Sequence, residues 1–85
     1  MTDYQAEVRI TPRAGLLDPE GAAVEHALQS LEFASVHEVR VGRLVRLRLN
    51  APSEGAAREH IDEMCRKLLA NPVTEDYEIT LRQEA

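Results

Sequence analysis

The sequence has little of several residue types, and each shortage argues against a class of protein. One cysteine, Cys65, among 85 residues cannot form a disulfide within the chain, which is typical of a reducing compartment. Tryptophan is absent, and one phenylalanine and two tyrosines are too few for the aromatic surface on which RNA-binding domains stack bases. No apolar run approaches the roughly 20 residues that a membrane-spanning helix needs.

Positive charge is also scarce, since 10 lysines and arginines stand against 15 aspartates and glutamates. The resulting net charge of −5 argues against general affinity for nucleic acid. Residues 1–7 have neither the basic start nor the apolar core of a signal peptide, so we expect a cytoplasmic protein that binds no membrane. The length predicts a single domain, 1–85, small enough that a partner would help it bury apolar surface.

The first third of the chain predicts a strand followed by a helix. Apolar and polar residues alternate over residues 4–11, which is typical of a strand with one buried face, and Pro12 ends it. Asp18 can cap a helix that has Pro19 at its first position. We expect this helix to continue to about Leu31.

The last third predicts a helix and a strand joined by a fixed corner. Ser53 can cap a helix whose predicted apolar stripe comprises Ala57, Ile61, Met64, Cys65 and Leu68. Asn71 and Pro72 end the helix near Leu69, because asparagine tolerates the left-handed conformation and proline has no N–H to donate. The alternation that follows predicts a final strand that buries Tyr77, Ile79 and Leu81.

The segment 36–50 decides the predicted assembly. Its apolar side chains fall mostly at odd positions, namely Val39, Val41, Val45, Leu47 and Leu49. A two-residue hairpin at Gly42 and Arg43 would split this apolar face, and a three-residue turn would need its glycine last. We therefore predict one long strand through Gly42. A strand that does not turn back must pair with another copy, which indicates a dimer that exchanges its first helix and second strand.

The predicted order of elements is β-α-β-β-α-β. This order predicts an α+β fold of the ferredoxin-like type, in which two helices cover one face of an antiparallel sheet.

Side chains that commonly carry chemistry are isolated from one another. Cys65 lies in the apolar stripe, where a small buried side chain is expected rather than a reactive thiol. His26, His37 and His60 have no second ligand at helical spacing to form a metal pair. We therefore expect no catalytic, cofactor-binding or metal-binding residues in this chain.

A cluster of arginines leaves two interpretations open. Four of the ten basic residues lie within nine positions, namely Arg40, Arg43, Arg46 and Arg48. They indicate either a site for an anion or acidic partner, or a charged outer face that discourages aggregation of an edge strand.

Three stretches carry a family resemblance. They are GLLDPEG at 15–21 with AVE at 23–25 and AL at 27–28, VRVGR at 39–43, and LLANPV at 68–73 with EDYEI at 75–79. On these residues the chain resembles the PurS family, the small subunit of phosphoribosylformylglycinamidine synthase. Glu32 stands where relatives commonly have glycine, and Arg43 where lysine is common.

The resemblance implies an accessory subunit of a ligase in de novo purine (IMP) synthesis. A glutaminase subunit would release ammonia from glutamine, and a synthetase subunit would use ATP and Mg²⁺ to amidate formylglycinamide ribonucleotide. The small subunit would bridge the two as a homodimer, or as a tetramer, with no active site or cofactor of its own. Its expected interface residues are Arg40, Gly42, Arg43, Arg46, Asn71, Pro72 and Tyr77.

A second hypothesis of a different class stays open at this point. A ferredoxin-like domain of this size also suits a regulatory module that binds a small molecule without partner subunits.

Overall fold

A computed structural model of the chain describes residues 1–84. Its elements, in chain order, are β1 (Thr2–Pro12), α1 (Pro19–Ser30), β2 (Arg43–Ala51), α2 (Glu54–Met64), a π-helical turn (Cys65–Leu69) and β3 (Glu75–Gln83). The α+β fold class with an antiparallel sheet and two helices is confirmed. No helix in this part of the chain is both long and apolar enough to cross a bilayer.

The sheet has three antiparallel strands in the order β2-β1-β3. The register places Val8 opposite both Val45 and Ile79, so the alternating apolar positions of all three strands share one face. Because β1 has a neighbour on each side, all four of its inward apolar side chains are buried: Tyr4, Ala6, Val8 and Ile10. This apolar side of the sheet is called the inner face below.

One helix, α2, covers the inner face. Its N-cap is Ser53, whose hydroxyl accepts a hydrogen bond from the Ala56 N–H at 3.1 Å. Ala57, Ile61 and Cys65 follow at intervals of four and are all fully buried. The main core therefore forms between these side chains and β1.

The predicted apolar stripe of this helix is wrong at its C-terminal end. Leu68 is 83% exposed, whereas Leu69 is half-buried and Ala70 is buried. The cause is the π-helical turn, in which the Ala70 N–H donates to the Cys65 carbonyl oxygen at 3.0 Å. A π turn holds more residues than an α turn, so the side chain that returns to the sheet after Cys65 comes later in the sequence.

The predicted long strand at 36–50 is wrong in its first half. Residues 36–42 form no strand, and β2 begins at Arg43 and pairs with β1 of the same chain. The described residues thus contain three strands rather than the four of the predicted order, and the exchange of segments between two copies stays a prediction. The physical reason is that side chains of α1 bind the backbone of residues 36–41, as described below.

The first helix does not pack on the sheet. Gly21 is its one buried residue, and contacts of α1 with the strands are negligible. This differs from the predicted arrangement, in which both helices cover one face. The molecule is accordingly elongated, with dimensions of 52 × 29 × 14 Å.

Helix α1 ends in a motif that normally uses glycine. The Phe33 N–H donates to the Leu28 carbonyl oxygen and the Glu32 N–H to that of Gln29, each at 3.1 Å. This pair of hydrogen bonds is the Schellman motif, which requires a left-handed residue after the helix. Glu32 is that residue, with φ of 77°.

We expect the substitution Glu32→Gly to raise the free energy of unfolding by about 1 kcal/mol. A side chain in the left-handed region is strained, and glycine removes the strain although it adds freedom to the unfolded chain. Urea denaturation measures the change. The control Ala22→Gly, inside the same helix, should lower the stability by about 1 kcal/mol. Equal losses in both variants would contradict this account of Glu32.

Candidate functional site

The His, Cys, Asp and Glu side chains of residues 1–84 are not gathered into a metal cluster. Cys65 is fully buried, and this burial raises the pKa of its thiol. A buried thiol with a raised pKa is a poor nucleophile. The candidate functional features are therefore surfaces.

The first surface is the arm, defined as residues 18–41. Three polar side chains, one from the N-cap of α1 and two from the helix itself, bind the backbone of the returning segment. Asp18 accepts from the Val41 N–H at 3.1 Å, Glu25 accepts from the Val39 N–H at 3.2 Å, and Gln29 donates to the Val36 carbonyl oxygen at 2.9 Å. Spacings of seven and four residues place these three side chains along one side of the helix.

Asp18 has two roles in the arm. One carboxylate oxygen caps α1 by accepting from the Gly21 N–H at 3.0 Å, and the other binds Val41. Gly21 is required at this point because a Cβ there would overlap the Asp18 carboxylate and the Val39 carbonyl oxygen. Hydrogen bonds from the backbone of Gly21 and then Val41 lower the pKa of Asp18.

We expect protonation of Asp18 to loosen the arm at low pH. Because the folded pKa lies below the ordinary value of 3.8, the carboxylate stabilises the arm above that pH, and the stabilisation is lost as the pH falls through the folded pKa. An NMR titration should show the Gly21 and Val41 amide resonances moving together, with a midpoint below 3.8.

The variant Asp18→Asn is the control for this titration, because its amide does not titrate. It should abolish the shared transition. Persistence of the transition in Asp18→Asn would show that another group controls these amides.

The other side of the arm is apolar and uncovered. Leu17, just before the arm, is 87% exposed, and Leu31 and Phe33 are 67% and 56% exposed. The arm also contains five acidic residues against one basic residue, Arg40. The arm is therefore an acidic element with an exposed apolar stripe, which is typical of a segment that packs on another molecule.

The second surface is the corner, defined as residues 69–75. Its turn is held internally by the Asn71 side chain, which accepts from the Val73 N–H at 3.0 Å. Glu75 accepts from the Asn71 N–H at 2.8 Å and from both terminal nitrogens of Arg43 at 3.1 Å. Arg43 also donates to the Leu69 carbonyl oxygen at 2.8 Å. These bonds fix the corner to the start of β2.

Further contacts fix the corner to the end of β1. Arg13 donates to the Pro72 carbonyl oxygen at 2.5 Å and lies 3.3 Å from the Asp76 carboxylate. The Asn71 backbone and the Arg43 guanidinium lower the pKa of Glu75. The corner is thus rigid, while Val73 within it is 75% exposed.

We expect Glu75→Gln to lower the free energy of unfolding by about 1 kcal/mol, because the amide cannot form the bidentate ion pair with Arg43, and solvent screens part of that pair. Urea denaturation at neutral pH measures the loss. Glu78→Gln on the same strand is the matched control, since Glu78 is 80% exposed and lies 3.8 Å from Arg9. An equal effect of the two substitutions would contradict the role of Glu75.

The seven predicted interface residues fall into separate places. Arg40 lies in the arm and donates to the Leu16 carbonyl oxygen at 2.9 Å, and Gly42 follows the arm next to β1. The Tyr77 hydroxyl donates to the Asp62 carboxylate and so joins β3 to α2. Arg46 lies on the sheet face opposite α2, which is called the outer face below. The corner brings together the remaining three: Arg43, Asn71 and Pro72. Their role in an interface stays a prediction.

Sequence reasoning missed the side chains that shape these surfaces. Asp18 was recognised as a helix cap, but its second bond to Val41 joins residues 23 positions apart. Glu25 and Glu75 likewise bind distant partners. The available signal in the sequence is that Asp18, Glu25 and Glu75 all lie inside the stretches of family resemblance.

Comparison with known proteins gives the family. A sequence model of PurS, described as phosphoribosylformylglycinamidine (FGAM) synthase, matches residues 5–83. The chain belongs to the PurS family. The phosphoribosylformylglycinamidine synthase subunit PurS of Synechocystis sp. is 43% identical over 84 residues, which cover 96% of this chain and 84% of the relative. The PurS subunit of Methanocaldococcus jannaschii is 40% identical, over 94% of this chain and 96% of the relative.

Solved PurS structures share the fold. The crystal structure of M. jannaschii PurS matches with a TM-score of 0.84 and 39% identity, covering 96% of this chain and 99% of that chain. A chain from the structure of PurLQS of Thermotoga maritima matches with a TM-score of 0.85 and 28% identity, covering 99% and 100%. The predicted PurS resemblance is therefore confirmed in sequence and in fold.

Proposed function

We propose that this chain is the non-catalytic small subunit of phosphoribosylformylglycinamidine synthase. In this role it bridges the glutaminase and synthetase subunits, so that ammonia from glutamine reaches formylglycinamide ribonucleotide. The observation that carries the proposal is the PurS match over residues 5–83. The PurLQS relative supports it, because a chain of that named complex has the same fold over nearly its full length.

The geometry supports a bridging role rather than a catalytic one. The described residues offer rigid surfaces, with the corner fixed to both neighbouring strand ends. In this proposal ATP and Mg²⁺ bind the synthetase subunit, and this chain contributes contacts only. Its seven candidate contact residues are Arg40, Gly42, Arg43, Arg46, Asn71, Pro72 and Tyr77.

A homodimer built through the arm is the second part of the proposal. The radius of gyration is 16.4 Å, whereas a compact chain of this length has about 12 Å. The inner face carries only α2, and strand residues such as Leu47, Leu49 and Ile79 stay half-buried. The arm of a second copy, with Leu31 and Phe33 on its apolar stripe, supplies the helix that the inner face lacks. Two such dimers could associate further into a tetramer.

Reconstitution tests the subunit role. The purified chain is mixed with the glutaminase and synthetase subunits in the presence of glutamine and nucleotide, and glutamine-dependent synthase activity and co-elution are measured. We expect no activity from the chain alone and restored activity in the mixture. Lack of both co-elution and activation would overturn the proposal. A thermal shift with an amino acid or nucleotide, in a chain that does not assemble, would instead favour a regulatory domain.

The oligomeric state tests the dimer separately. Solution scattering at micromolar concentration should give a particle of twice the chain mass. The double variant Leu31→Glu, Phe33→Glu should be monomeric, whereas Leu68→Glu, which is also exposed, should remain dimeric. A monodisperse wild-type monomer would overturn the arm-mediated dimer.

A further inference from the structure

The outer face of the sheet is a polar surface that α1 and α2 leave uncovered. It presents the alternate residues of the three strands that do not point to α2. A shallow depression opens on it, and its polar lining comprises Gln5, Glu7, Arg46, Arg48, Thr80 and Arg82. Three arginines line it, and with Glu7 and the Glu84 carboxylate that pairs with Arg48 they leave a surplus of one positive charge, in a chain whose net charge is −5. The depression is thus opposite in sign to the chain as a whole.

Carboxylates of the same chain neutralise these arginines only in part. Arg46 is 75% exposed, and its nearest carboxylate, that of Glu7, is 3.8 Å away. Arg82 donates to the neutral side chain of Gln5 at 2.8 Å and forms no ion pair within residues 1–84. Arg48 is paired with Glu84 at 2.8 Å but remains 71% exposed. A guanidinium has five N–H donors, so each side chain keeps donors for another molecule.

The chemistry of the face favours one kind of ligand. Tyr4 and Tyr77 belong to the inner face, so no aromatic side chain is available here for stacking RNA bases. The carboxylate of Glu7 lies among the arginines and opposes a compact phosphate. A second copy that docked depression to depression would bring the same three arginines together, and these like charges repel one another. A protein surface with separated carboxylates fits, since arginine binds carboxylate in a bidentate manner.

We propose that the outer face, through Arg46, Arg48 and Arg82, binds an acidic surface of one of the larger subunits. This inference rests on the proposed role in the synthase complex and adds the face and charge of the contact. Complementary charge speeds encounter and selects the partner, and its effect is screened by salt.

Charge reversal in the assembled system tests the proposal. The variant Arg46→Glu, Arg82→Glu is titrated against the glutaminase and synthetase subunits with glutamine and nucleotide, and the dissociation constant is measured at two salt concentrations. The control Arg66→Glu, Lys67→Glu makes the same change in net charge on the π-helical turn, where both side chains are exposed. We expect at least tenfold weaker assembly for the outer-face variant, and less than threefold for the control.

The variant Arg46→Gln, Arg82→Gln removes the two charges without reversing them and is therefore less prone to misfold. It should weaken assembly by a factor between those of wild type and the charge-reversal variant, and its assembly should depend less on salt than that of wild type. Circular dichroism and scattering should show an unchanged fold and oligomeric state for the glutamine variant. Equal assembly of wild type and both outer-face variants would overturn the inference while leaving the subunit role intact. A changed oligomeric state would assign the face to contacts between copies and would also overturn it.

Two further outcomes are decisive. Tight binding of inorganic triphosphate or single-stranded RNA by the wild-type chain, lost on charge reversal, would replace the acidic protein surface with another ligand. Failure of the wild-type chain to assemble at all would overturn the subunit role and this inference together.

Discussion

Replacing Gly42 with alanine will lower the free energy of unfolding by about 3 kcal/mol, because the added methyl group overlaps backbone atoms that have no room to move. A Cβ on Gly42 would meet the carbonyl oxygen of Ile10 and lie 3.1 Å from the Thr11 side chain. Ile10 belongs to the central strand and is fully buried. In the alanine variant, this overlap would push the start of β2 away from β1.

Urea denaturation measures this loss, and Gly55→Ala is the matched control. Gly55 lies in the first turn of α2, where a Cβ would meet only the Ser53 hydroxyl at 3.9 Å. Alanine should therefore stabilise the protein there by roughly 0.5 kcal/mol through its higher helix propensity. If both substitutions changed the stability in the same direction, the close approach at Gly42 would be refuted.

Replacing Ile61 with alanine will lower the free energy of unfolding by about 3 kcal/mol, through lost burial and the cavity that remains. Ile61 is fully buried between α2 and the central strand, among Val8, Ile10 and Cys65. Val8 and Ile10 belong to the central strand, which is paired on both sides and therefore cannot move in to fill the space. The same denaturation experiment measures the effect.

Leu68→Ala is the control for Ile61 and also tests the π-helical turn. Leu68 lies seven residues after Ile61, a spacing that an unbroken α-helix would place on the same side. The π turn leaves Leu68 83% exposed, so truncation should change the stability by less than about 0.5 kcal/mol. A loss at Leu68 as large as that at Ile61 would show that the helix continues in regular form.

The sequence alone was sufficient where short-range patterns decide the structure. The alternation of residues 4–11 predicted β1, and the caps Asp18 and Ser53 predicted the helix starts, because a cap bonds to N–H groups only two or three residues away. Asn71 and Pro72 also predicted the corner, but Asn71 is not left-handed, contrary to the prediction: its side chain holds the turn by accepting from the Val73 N–H. The family also followed from sequence, since its residues occur in order along nearly the whole chain.

The tertiary structure alone decided the course of residues 36–42 and the turn after Cys65. An alternating segment can form a strand, but here the side chains of Asp18, Glu25 and Gln29 bind the backbone N–H and C=O groups that a neighbouring strand would otherwise bind. No local sequence pattern reveals that competition. Likewise, Leu68 and Leu69 are equivalent by hydropathy, and only the i to i+5 bond from Ala70 to Cys65 decides which one turns inward. Local chemistry thus determined the elements, whereas bonds between distant residues determined which surfaces the protein presents.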